Sequence, residues 1–161
     1  MQKNLFLGSS LLLLMFAAGC GNVQSNSEQE IGETGKPQIV TLTQTGCQFV
    51  ETESKDHQFK TTKAEDCKGI NAKTLAERQK GFKPLQLKPG KYIFRVANRD
   101  VPYELGFYLR GEGLNQVTLP KVSGGGLTKG ATQDYEITLK PGKYVFSCPL
   151  NPTPDYPIVV S

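Results

Sequence analysis

Apolar and polar positions alternate over much of the chain with a period of two, the spacing of a strand with one buried face. Tyr92, Phe94 and Val96 alternate with Lys91, Ile93 and Arg95, and Tyr135, Ile137 and Leu139 lie two apart. Tyr144, Phe146 and Cys148 alternate with Lys143, Val145 and Ser147, and residues 158–160 form a short β-branched run. Residues 38–45 predict a first strand, and residues 85–87 and 103–110 predict others. Strands at this spacing, joined by Gly/Pro turns, predict an all-β fold, an antiparallel β-sandwich. One phrase occurs twice: Leu-Lys-Pro-Gly-Lys-Tyr begins at Leu87 and again at Leu139. Each copy predicts a strand, a turn with Gly90 or Gly142 at positive φ, and a second strand.

Two stretches depart from the alternation. Residues 51–83 are rich in Lys, Glu, Asp and Thr and read as an insertion. Within it, residues 71–80 predict one short helix, with Asn71 as N-cap and Gly81 as stop. His57, the chain's single histidine, falls in this insertion and reads as an exposed polar loop residue. Residues 122–130 are rich in glycine and read as a flexible surface loop. No Gly-Lys-Ser/Thr follows to make that loop a phosphate cradle.

The N-terminus carries a different signal. Lys3 precedes an apolar run at residues 5–16, and small residues at 17–19 precede Cys20. This resembles a bacterial lipoprotein signal peptide, although Ala17 stands where leucine is usual. The resemblance implies a signal at residues 1–19, lipidation of Cys20, and a mature protein anchored in a membrane and facing the periplasm or exterior. Residues 20–36 are polar and read as a flexible tether, leaving residues 37–161 as the folded domain. The net charge of +4 is spread over single lysines, without a basic cluster interleaved with aromatics, so nucleic acid is not an expected partner. The expected partners are the membrane, through Cys20, and an envelope protein.

With Cys20 assigned to lipid, Cys47, Cys67 and Cys148 remain, and three pairings are possible. Cys47 with Cys67 is preferred, because both lie in the polar N-terminal half and the bridge would contribute roughly 3 kcal/mol. Cys148 is then a free thiol, and its place between an aromatic strand and Pro149 reads as a buried core position.

Two motifs carry a resemblance to the cupredoxins, the blue-copper fold. One runs from Phe94 through Asn98 and Asp100 to Phe107, and the other from Pro141 to Cys148 with its proline-rich loop and final strand. The resemblance implies a Greek-key arrangement of the sandwich. It does not carry over the ligands. A type-1 copper site needs two imidazoles, a thiolate and a weak axial thioether. Cys148 is present, but Tyr103 and Asn151 stand at the histidine positions, and the axial position falls near Tyr156. Both methionines, Met1 and Met15, lie in the signal, and one histidine cannot supply His₂Cys. No cofactor is expected. Were copper to bind, Cys148, Tyr103, Asn151, Tyr156 and Asp155 would offer a weak, mostly hard donor set.

Enzyme signatures are lacking too. There is no Gly-x-Ser-x-Gly, no imidazole partner for Cys148 within the β pattern, and carboxylates occur singly. The expectation is a non-catalytic binding or assembly module. Its face would be formed by Tyr103, Cys148, Leu150, Asn151 and Tyr156, with Leu150 and Tyr156 as exposed apolar handles on a loop stiffened by proline. The competing expectation is a copper-binding or electron-transfer protein with an atypical centre at Cys148.

Overall fold

In the computed structural model, residues 35–161 are described. The expected signal, the lipidation site at Cys20 and nearly all of the expected tether lie outside the described residues. Strands form where the alternation places them. β1 (Gln38–Thr45), β2 (Gln48–Phe49), β4 (Gly90–Asn98) and β7 (Thr132–Leu139) make a four-stranded sheet in the order β2-β1-β4-β7. β3 (Leu85–Leu87), β5 (Leu105–Gly111), β6 (Val122–Leu127), β8 (Gly142–Ser147) and β9 (Tyr156–Val160) make a five-stranded sheet in the order β3-β9-β8-β5-β6.

The inward positions of both sheets form one core, so the architecture is a β-sandwich. Phe94, Val96, Phe107, Leu109, Tyr144, Phe146 and Ile158 are all buried in it. Most of its aromatics meet edge to face or tilted, as their quadrupoles favour, and Phe94 stacks on Phe107 at 27°. Phe49 stands at 84° to Phe146 with centroids 5.0 Å apart, and Phe107 meets Tyr135 at 5.0 Å. The sheets are mixed, not antiparallel throughout as the pattern predicts. β1 runs parallel to β4, with Gln38 opposite Tyr92 and Gln44 opposite Asn98. β3 runs parallel to β9. Alternation reports which face a residue takes and is silent on strand direction. The long connection between β1 and β4, which carries the insertion, supplies the crossover that a parallel pair needs.

The two Pro-Gly turns lie side by side. Gly90 pairs with Leu139 across β4 and β7, and Gly142 with Val160 across β8 and β9. Gly90 and Gly142 have φ of 151° and 153°, positive as the repeat predicts. β1 also starts at this end of the sandwich, opposite Tyr92. Cys148 and the proline-rich loop occupy the other end.

The glycine-rich stretch is a strand, β6, and not a surface loop. Glycine serves close approach here: a Cβ on Gly106 of β5 would lie 2.6 Å from the Gly124 carbonyl oxygen, and one on Gly124 would lie 2.9 Å from the Tyr135 ring. β6 therefore packs more tightly than side chains would permit. The insertion holds two helices, α1 (Val50–Glu53) and α2 (Asp66–Arg78), followed by a 3₁₀ turn at Gln79–Gly81. α2 begins five residues before the predicted start, so Asn71 is interior and not its N-cap. The loop before it is tied by Asp66, whose carboxylate accepts from the N–H groups of Thr62 and Lys63 at 2.8 and 3.2 Å. Those bonds hold the Asp66 carboxyl below its ordinary value.

Candidate functional site

The end of the sandwich at Cys148 is assembled from three turns and the insertion. Asn98, the last residue of β4, is buried and shapes the first turn. Its Nδ2 donates to the carbonyls of Val101 and Leu127 at 3.1 and 3.2 Å, and its Oδ1 accepts from the Val101 N–H at 3.0 Å. This turn presents Tyr103, whose hydroxyl donates to Asn151 Oδ1 at 2.9 Å.

Asn151 is fully buried, and its amide joins four segments. Oδ1 also accepts from the Cys47 N–H at 3.2 Å, Nδ2 donates to the Thr45 carbonyl at 3.0 Å, and the backbone N–H donates to the Cys148 carbonyl at 3.2 Å. The Cys47–Cys67 disulfide expected from the sequence is formed, and Cys67 Sγ packs 3.3 Å from Asn151 Oδ1. A disulfide sulfur has no proton to give, so that approach is packing.

Cys148 follows β8 directly and is a buried free thiol. Its sulfur accepts from the Gly106 N–H at 3.3 Å, and its own N–H donates to Thr153 Oγ1 at 2.8 Å. Burial pushes the thiol above its ordinary value, against the N–H groups of Gly106, Asn151 and Leu150, which favour the thiolate. Burial likewise raises the Tyr103 phenol. Gln44 Nε2 donates to the Gly106 carbonyl at 2.8 Å from the other sheet.

Tyr156 is buried in the core and is not the exposed handle that the proline-rich loop predicts. Its hydroxyl accepts from the Phe49 N–H at 3.3 Å and donates to Glu53 Oε1. Burial, reinforced by the Glu53 carboxylate, pushes its phenol far above the ordinary value. Glu53 forms a buried ion pair with Arg78, whose Nε donates to Oε2 at 2.8 Å. Burial depresses the guanidinium, but the Glu53 carboxylate outweighs it and holds Arg78 above its ordinary value. Arg78 also donates to the Cys47 carbonyl at 3.2 Å and to Asn71 Oδ1 at 2.8 Å, and Asn71 donates to the Pro152 carbonyl at 2.7 Å. His57 is half-buried and not exposed. Its Nε2 lies 3.0 Å from Glu53 Oε2, and its ring stacks on Phe59.

Of the residues singled out from the sequence, the structure joins Tyr103, Asn151 and Cys148, and places Tyr156 in the adjoining Glu53–Arg78 network. Of the five residues of the expected binding face, Leu150 alone is exposed, at 44%. With Tyr108, Gly124, Gly125 and Pro149 it lines a surface groove of about 660 Å³. Asp155 lies apart, bonded by both carboxylate oxygens to Arg110 at 2.7 and 2.8 Å. Sequence reasoning missed Glu53 and Arg78, and took Asn71 for a helix cap. Single charged residues in a polar segment look alike until a fold buries some of them.

The network closes the end of the sandwich and presents no exposed nucleophile beside a base. Among the described residues, no three His, Cys, Asp or Glu side chains gather where a metal ion would be held. The donor set around Cys148 is one sulfur with amide and phenol oxygens, and the single imidazole is on Glu53. Copper's preference for imidazole and thiolate is not matched by these residues. Among the described residues, no helix is long and apolar enough to cross a membrane.

No family model matches the chain, and no curated protein matches it. Among solved structures, the chain is similar to Lac15 from a marine microbial metagenome at 15% identity and a TM-score of 0.39, over 81% of this chain and 28% of that one. The chain thus spans about 28% of the length of that structure.

Proposed function

We propose that the protein is a lipid-anchored bacterial envelope protein whose cupredoxin-like sandwich serves as a non-catalytic binding or assembly module without type-1 copper. The observation that carries this reading is Asn151. The residue at the expected second histidine position has every polar atom of its side chain bonded within the protein, to Cys47, Tyr103 and Thr45. Tyr103 and Tyr156 are likewise tied internally. Groups so engaged support a closed structural end better than a ligand-exchanging centre, and leave Leu150 and its groove as the outward surface there. The anchor is supported by the apolar run and small residues before Cys20, and the Cys47–Cys67 disulfide suits an oxidising compartment outside the cytoplasm.

Titration of the purified protein with Cu(II), Cu(I) and Zn(II) tests the absence of a metal centre. The expected result is no visible absorption band and no tight binding. One observation favours the second reading, an atypical copper centre: backbone N–H groups already face the Cys148 sulfur, as they would a ligating thiolate. A band that appears with Cu(II) and vanishes in Cys148→Ala would establish that reading and overturn the first.

A further inference from the structure

The end of the sandwich opposite Cys148 has its own character. The connection from β5 to β6 makes a 3₁₀ turn at Gly113–Val117, in which residues three apart eclipse one another. Leu114 and Val117 therefore stand on one side as a ridge, 92% and 87% exposed. The ridge is held in place. Leu119 N–H donates to the Asn115 carbonyl at 2.9 Å and Glu112 N–H to the Lys143 carbonyl at 2.9 Å. A Cβ on Gly142 would lie 2.7 Å from Leu119 Cδ1, so the ridge is seated against the second Pro-Gly turn.

Charge gathers around this ridge. Lys88, Lys140 and Lys143 flank the paired turns, and Lys121 follows the ridge. All four are exposed and make no ion pair among the described residues. The segments 88–91, 111–121 and 140–143 hold one acidic residue, Glu112. The chain also enters the domain here, since β1 starts at Gln38 opposite Tyr92. Sixteen residues separate Cys20 from Pro37. That length spans at most on the order of 55 Å fully extended.

We propose that this end, with the Leu114–Val117 ridge and Lys88, Lys121, Lys140 and Lys143, docks on an anionic lipid surface. The inference rests on the lipid-anchor reading above for its orientation. An apolar ridge seats in the headgroup layer, the lysines meet acidic headgroups, and the chain's connection to the anchored Cys20 leaves from the same face. The Cys148 end with Leu150 then points away from the bilayer, and the groove runs from Leu150 along β5 and β6 back to Lys121.

The protein has no tryptophan, so Leu114→Trp places a single fluorescent reporter on an exposed site. The full chain carrying this substitution is reconstituted into vesicles of phosphatidylglycerol and brominated phosphatidylcholine. Indole emission from the Leu114→Trp variant is expected to shift to the blue and to be quenched about twofold or more, while a Leu150→Trp control at the other end stays unquenched. Adding Lys140→Glu and Lys143→Glu, or replacing phosphatidylglycerol by a zwitterionic lipid, should abolish the quenching. Fatty-acid labelling in cells, compared with Cys20→Ser, reports the anchor separately. Labelled Cys20 with no quenching in the Leu114→Trp variant overturns the docking face and leaves the anchor standing. Unlabelled Cys20 overturns the anchor, and quenching of the Leu114→Trp variant by added vesicles would then support the face on its own charge and ridge. A blue shift that needs protein concentration and no vesicles overturns the proposal in favour of a protein interface.

Discussion

Asn151 shows how much one buried amide can hold. It bonds the Thr45 carbonyl, the Cys47 N–H and the Tyr103 hydroxyl. Removing one partner of a buried hydrogen bond costs about 1–3 kcal/mol, because the group left behind stays desolvated. Asn151→Ala removes three bonds at once, leaving only Tyr103 with another side-chain partner, Thr61 Oγ1 at 3.3 Å, and is expected to lower unfolding stability by about 3 kcal/mol in urea titration. Leu150→Ala, one residue away and half-exposed, should change it by less than about 1 kcal/mol. Equal effects of the two would show that Asn151 is no keystone. Arg78 is a second such residue. Arg78→Ala leaves the Glu53 carboxylate buried without its cation, a change that costs about 3–5 kcal/mol. Adding Glu53→Gln should restore part of that loss, and its failure to do so would argue against the ion pair as the cause.

At the scale of elements, α2 is held by unusual means. Only Cys67 and Arg78 of its thirteen residues are buried, so it has no apolar stripe. A disulfide and an ion pair take the place of hydrophobic packing. This explains why its start was illegible. Boundaries are read from apolar periodicity and caps, and here the inward face, Cys67, Ile70, Asn71, Thr74, Leu75 and Arg78, has the helical period but is half polar. The strands were legible for the opposite reason. Tyr92, Phe94 and Val96 or Tyr144 and Phe146 repeat every second residue because the core demands it. β6 escaped because its glycines carry no such pattern, although its tight packing depends on their bareness. Cys148 was legible as a buried position from its phase in β8, whereas the fate of Tyr156 depended on Glu53, remote in sequence. Breaking the Cys47–Cys67 bridge, with 20 residues of separation, is expected to cost about 3 kcal/mol. Amide exchange in Cys47→Ala/Cys67→Ala should quicken chiefly over residues 50–83, with β4 and β7 keeping their protection relative to global unfolding. Uniform loss across the sandwich would mean that the insertion and the sheets unfold as one unit.

The whole molecule gathers several acids that burial keeps neutral. The Cys148 thiol and the phenols of Tyr103, Tyr135, Tyr144 and Tyr156 are all raised, each with burial as the largest cause. A raised folded pKa means that the native state keeps its proton after the unfolded chain has lost it. The stability these groups contribute is therefore complete below their ordinary values, about 9 for the thiol and about 10 for phenols, and is lost as pH rises toward the folded values. The urea midpoint should hold steady from about pH 7 to pH 8 and fall above about pH 9. Tyr156 makes the sharpest test, since Glu53 adds repulsion to its burial. Above about pH 10 a single such group removes up to about 1.4 kcal/mol per pH unit. Tyr156→Phe is expected to be less stable than the wild type at about pH 7, having lost the bonds to Glu53 and Phe49, yet to decline less steeply in alkali. The two stability curves should thus converge as pH rises. Parallel curves would mean that ionisation of Tyr156 in the unfolded chain has no part in the alkaline loss, and that the phenol serves the fold through its hydrogen bonds alone.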